Sequence, residues 1–187
     1  VEAVLKKEII INKTLCRLIG VLLFVFLTAL GAFIRLPLPF TPVPVTLQTF
    51  FVLLSGAFLG AGLGAVSQLG YILLGATGLS LFAGFGSGTC YLCGPTAGYL
   101  VGFVLASFLI GTFSGSAKST ARLFALLCIG DLLLLGCGAL WLKLLLGLSP
   151  KKAFLWGVLP FIPADMLKAW MAALLYARLR TRATQIF

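Results

Sequence analysis

The chain contains no histidine and only four acidic residues, Glu2, Glu8, Asp131 and Asp165, in 187 positions. Zinc sites draw on clustered Cys and His, and acid–base catalysis draws most often on His or paired carboxylates, so both chemistries lack their raw material. No Ser or Cys has an evident base beside it, which leaves nucleophilic catalysis without its activating partner. "GFGSG" at 84–88 holds a G-x-G pattern but neither follows a soluble strand nor opens a dinucleotide fold. Catalysis is hard to assemble from this inventory, and the composition favours binding and movement. Charge of either sign is scarce too, at 10%, against 61% hydrophobic residues and a mean hydropathy of +1.17. A water-soluble core with a polar shell cannot be built from that mixture, so the chain reads as an all-α integral membrane protein.

What is abundant is apolar sequence in runs close to the ~20 residues that cross a bilayer as helix. Six crossings are expected, at 16–34, 46–60, 64–80, 95–113, 122–146 and 163–180. The second and third are short and joined by "GAGLG" (60–64), which predicts a tight helical hairpin. The first run is too long for a signal-peptide core and is expected to be retained. The whole is expected to be one membrane domain: a basic N-terminal segment at 1–15, a six-helix bundle at 16–180 and a tail at 181–187.

The net charge of +10 is carried mostly at the ends of apolar runs, where orientation and anionic lipid account for it and nucleic acid is not required. With the N-terminus inside, nine basic residues (Lys6, Lys7, Lys13, Arg17, Lys118, Arg122, Arg178, Arg180, Arg182) collect on the inner side. Four (Arg35, Lys143, Lys151, Lys152) fall outside. The positive-inside rule then places both termini in the cytoplasm and the protein in the inner (plasma) membrane. Three connections face outward: 35–45, 81–94 and 147–162.

Each of these connections is rich in Pro or Gly yet largely apolar. "RLPLPFTPVPVTLQTF" (35–50) has four prolines, which forbid helix and favour an extended segment. "LFAGFGSGTCYLCGPTAGY" (81–99) permits tight backbone paths, and "LPFIPAD" (159–165) has two helix breakers. Irregular backbone at membrane level survives when it is buried in protein or lines a cavity, so the three connections are expected to meet over one outward-facing pocket.

Two of the few charges lie there. Pro163 suits the first helical turn, which puts Asp165 where the helix dipole favours an anion, and Lys168 lies one turn on along the same face. Such a pair is a ligand grip or a structural brace. A carboxylate accepts hydrogen bonds from a urea-like or amide-like group, and an ammonium donates to a carbonyl or carboxylate. Phe82, Phe85, Tyr91, Tyr99, Trp156, Phe161 and Trp170 would supply flat apolar walls. Asp131, mid-way along the fifth run, is a buried helix-to-helix hydrogen bonder or a second site residue. Gly56, Gly60, Gly64, Gly98 and Gly102, at four-residue spacing, read as helix-packing positions. Cys90 and Cys93 form a C-x-x-C, which keeps a membrane thiol oxidoreductase as the alternative; Cys16, Cys128 and Cys137 read as small packing residues.

Three stretches, "PLPFTPVPVTLQTFFVLLSGAFLG", "GPTAGYLVGF" and "PFIPADMLK", in this order closely resemble the BioY family, biotin-binding S components of energy-coupling-factor (ECF) vitamin transporters. The resemblance covers residues 16–180. It implies a six-helix S-component fold with a biotin pocket beneath the outward connections. It assigns the ligand-contacting acid and base to Asp165 and Lys168, places Gly94, Pro95, Thr96 and Tyr99 beside the pocket, and carries Gln48 in the P-x-P-x-T-L-Q stretch. With Tyr91, Phe85 and Trp156 as walls, these form the expected biotin site. Arg35, Lys151 or backbone N–H groups are left to hold the valerate carboxylate. Biotin is then the transported substrate, with no cofactor expected. Since nothing in the chain binds nucleotide, energy is expected from an ECF coupling subunit and two ATPase subunits. Relatives that dock on the coupling subunit often carry Ala-x-x-x-Ala on the first helix, whereas "GVLLFVF" (20–26) has only Gly20 small.

Overall fold

The computed structural model describes residues 2–117 and 119–186, with side chains from 13 to 179, Lys118 aside. Lys6, Lys7, Lys118, Arg180 and Arg182, all counted toward orientation, lie outside these described side chains. The described residues form six α-helices: α1 (Glu2–Phe33), α2 (Gln48–Ala76), α3 (Ala97–Phe113), α4 (Thr120–Leu146), α5 (Pro150–Gly157) and α6 (Ile162–Ile186). A two-stranded antiparallel ribbon, β1 (Arg35–Leu36) with β2 (Val45–Thr46), ties α1 to α2, pairing Arg35 with Thr46 and Leu36 with Val45. Among the described residues four helices are long and apolar enough to cross a membrane, or five spans if α5 and α6, bent by 49°, count as one broken span. The molecule is a multi-pass membrane protein.

The expected hairpin is present inside α2. Gly60 has φ 79 and ψ 180, a region open in practice only to glycine, and the chain reverses there. Gln68 Nε2 donates to Ser55 Oγ at 3.0 Å, although thirteen residues of straight helix would hold them about 20 Å apart. A Cβ on Gly64 would lie 3.0 Å from the Gly56 Cα, so the two arms touch backbone to backbone. Gly60 is therefore a turn, not one more packing position. Gly102 keeps its packing role: a Cβ there would meet the Leu134 backbone of α4 at 2.9 Å.

The connection 147–162, expected to be irregular, contains α5. Gly147 in the left-handed conformation ends α4, Ser149 caps the new helix by accepting from Lys152 N at 3.3 Å, and Pro150 occupies its first turn. In the connection 81–94 a 3₁₀ turn, Thr89–Cys93, carries Tyr91.

Burial divides the interior into two clusters. One, toward the Pro- and Gly-rich connections, gathers Tyr71, Phe82, Tyr99, Phe103, Leu134 and Phe161. The other, at the opposite end, gathers Leu53, Leu54, Ile110, Leu127 and the alanines of α6. The first is interrupted by a cavity.

Candidate ligand-binding site

Asp165 N donates to Phe161 O at 2.9 Å as α6 begins, which sets the carboxylate in the first turn. It is 1% exposed, and Lys168, one turn later, is 9% exposed. Lys168 Nζ donates to Asp165 Oδ1 at 2.7 Å, to Thr49 Oγ1 at 3.0 Å and to Thr46 O at 2.6 Å. All three ammonium protons thus have acceptors on the protein. Thr49 Oγ1 in turn donates to Asp165 Oδ1 at 2.9 Å. Asp165 Oδ1 takes two donors, while its buried Oδ2 has no partner. A buried carboxylate oxygen without a donor is costly, so its orientation calls for an explanation.

Oδ2 belongs to a carboxylate that lines the cavity, together with Lys168, Thr49 and Gln48 as polar groups and Tyr71, Tyr91, Tyr99 and Phe161 as rings. Its free volume is about 40 Å³, room for roughly one water. Val43 and Pro44 of the proline segment close one side, and Thr96 and Ala83 another. Gln48 Nε2 donates to Tyr71 Oη at 2.6 Å, and Tyr71 Oη donates to Leu81 O at 3.1 Å, so the amide is held by the second arm of the hairpin. Tyr91 stacks on Phe82 with centroids 4.5 Å apart, and its hydroxyl donates to Ala83 O at 3.3 Å. Burial pushes the Tyr91 phenol above its ordinary range, against the opposing influence of Thr96 and Arg35. Tyr99 Oη donates to Gly157 O at 2.8 Å, fastening α3 to α5.

Of the site residues expected from sequence, Asp165, Lys168, Tyr99, Thr96, Tyr91 and Gln48 converge on this cavity. Three do not line it. Gly94 contributes backbone: its carbonyl accepts from Trp141 Nε1 at 2.9 Å and anchors the connection to α4. Phe85 is 68% exposed with φ 60 and lies against Phe33 at 5.2 Å, because the glycines around it turn the ring outward. Trp156 lies under Lys152, whose Nζ is 4.4 Å from its ring, on α5. Trp170 faces Phe124 instead. Asp131 is 6% exposed with Oδ1 unpartnered, one turn from the cavity-lining Leu134 and Leu135 but not itself lining. Cys90 and Cys93 are exposed and free.

Thr49 and Tyr71 were not anticipated. Thr49 had a signal, since it follows Thr46 by three residues at a helix start; Tyr71 had none until the reversal at Gly60 brought its arm back.

The sequence model described as the BioY family matches residues 6–185. A probable biotin transporter BioY of Pyrococcus horikoshii is 44% identical over 160 residues, covering 86% of this chain and 93% of that protein. The biotin transporter BioY of Thermotoga maritima is 40% identical over 158 residues, covering 84% and 92%. Among solved structures, the S-component for biotin from an ECF-type ABC transporter superimposes with a TM-score of 0.83 at 26% identity, covering 91% of this chain and 93% of that one.

Proposed function

The chain belongs to the BioY family, and on that premise we propose that it is the biotin-binding S component of a vitamin uptake transporter. It captures biotin at the outward face and delivers it inward with an energy-coupling module, a coupling subunit and two ATPase subunits. The relatives support this reading over thiol oxidoreduction. In it the two arms of α2 count as separate crossings beside α1, α3, α4 and the α5–α6 pair, which makes six, with both termini cytoplasmic in the plasma membrane. The chain is then one membrane domain.

The observation that carries the reading is the unpartnered Oδ2 of Asp165, a residue that lines the cavity. Biotin's ureido ring presents two N–H donors and a carbonyl, and one N–H satisfies Oδ2. Lys168 holds Oδ1 from behind and reaches the ureido carbonyl only by releasing Thr46 O or Thr49 Oγ1. Tyr91, Tyr99 and Phe161 flank the bicyclic ring, while Arg35, whose guanidinium lies against Gly84 next to the lining residue Ala83, takes the carboxylate. A free volume of about 40 Å³ cannot admit the vitamin, so Val43, Pro44 and Tyr91 move outward to receive it.

Calorimetry on the purified chain tests this. One tight biotin site is expected, weakened about tenfold or more in Asp165→Asn, since the amide can place its N–H₂ against a ligand donor. Unchanged affinity in that variant removes Asp165 from the site.

A further inference from the structure

On the outer surface of α6, away from the cavity, Phe50, Met171, Leu174, Leu175 and Arg178 line an open groove of about 290 Å³. Met171, Leu174 and Leu175 are all substantially exposed there, while Ala172 and Ala173 face the core. The groove runs from the first turn of α2 along about two turns of α6 and ends on a guanidinium. Among the described residues the only ion pair is Asp165–Lys168, and neither described carboxylate, Asp131 or Asp165, pairs with Arg178. Arg178 lies sixteen residues past Ile162, about 24 Å along the helix, so a span entering a ~30 Å hydrocarbon layer at Ile162 would carry it to within a turn or so of the far edge. A guanidinium at that depth needs an anion or a path to water.

We propose that this groove is a binding site for an anionic phospholipid of the leaflet at the C-terminal end of α6. One acyl chain lies along Phe50, Met171, Leu174 and Leu175, and the phosphate pairs with Arg178. A planar guanidinium binds phosphate bidentately, and the apolar floor leads directly away from it, the order of charge and hydrocarbon in a phospholipid. An apolar transmembrane helix of a partner would meet the same floor but match the cation only by bringing a carboxylate into the membrane, which is costly, so charge complementarity favours lipid.

Native mass spectrometry of the full chain, titrated with dioleoyl phosphatidylglycerol or dioleoyl phosphatidylcholine, reads the preference. Wild type is expected to bind the anionic lipid about fivefold more tightly, the ratio expected for one basic residue at a charged surface. Arg178→Gln should erase that ratio and leave biotin binding intact. Met171→Trp, which fills the groove, should weaken both lipids. Photoactivatable phosphatidylglycerol should label 171–178. Retention of the preference in Arg178→Gln, no effect of Met171→Trp, or labelling confined elsewhere overturns the site. So does cross-linking of 171–178 to a coupling subunit in place of lipid in the assembled transporter, which would make the groove a protein interface.

Discussion

Lys168 has its three protons on Asp165, Thr49 and the Thr46 carbonyl, so removing it strands a carboxylate that is 1% exposed. Lys168→Met is expected to destabilise the protein by about 3–5 kcal/mol, the usual result of breaking one side of a buried pair. The double variant Asp165→Leu/Lys168→Met should recover most of that loss, because a packed apolar pair needs no compensation, and yet bind no biotin. Thermal unfolding beside calorimetry separates the two effects; a double variant as unstable as the single would mean that the pair braces the fold. Tyr99 is a different case. Its hydroxyl bonds Gly157 O inside the protein, so Tyr99→Phe should lower stability by about 1 kcal/mol while leaving the ring in the cavity wall and biotin affinity nearly unchanged. At this scale the sequence was informative about Asp165 and Lys168, because a three-residue spacing on a helix determines proximity by itself. It could not pair Thr49 with Asp165, which lies 116 positions away along the chain.

Among the elements, the hairpin in α2 depends most on one residue. Gly60→Ala forces a side chain into a backbone region reserved for glycine and should cost about 1–3 kcal/mol, although nothing lies within 4 Å to clash with it. Gly62→Ala, equally uncrowded and helical, is the control and should be neutral or slightly stabilising. Equal losses in a melting experiment would show that the reversal does not depend on Gly60. The hairpin itself was legible, because two short apolar runs around "GAGLG" cannot each be a full-length span. Helix α5 was not. The connection 147–162 reads from the sequence as irregular, and the pairing of Ser149 with Lys152 N is what reveals Pro150 as an opening helical turn. Removing that cap by Ser149→Ala should cost about 1 kcal/mol, read by the same melting experiment.

For the whole molecule, ligand binding and stability are linked. A vitamin that binds the folded form alone raises the unfolding free energy by about 2.7 kcal/mol at a hundredfold excess over Kd. In a thermal-shift panel of vitamins biotin should therefore stand out, and the shift should vanish in Asp165→Asn; a shift with an unrelated vitamin instead would reassign the substrate.

What the amino-acid order determined alone was whatever depends on composition and short range: a membrane protein, the rough positions of its apolar runs, the reversal near Gly60, and an acid and base one turn apart. What only the tertiary structure decided was which side chains share the cavity. Phe85 and Trp156 are aromatic residues in the right connections, but one is turned outward by its glycine-rich neighbours and the other is held under Lys152. Tyr71 and Thr49 belong to the wall because a folded hairpin and a docked α6 bring them there. The reason is physical: a helix fixes the direction of a side chain relative to its near neighbours, whereas its position against a residue a hundred places away follows from how whole helices pack.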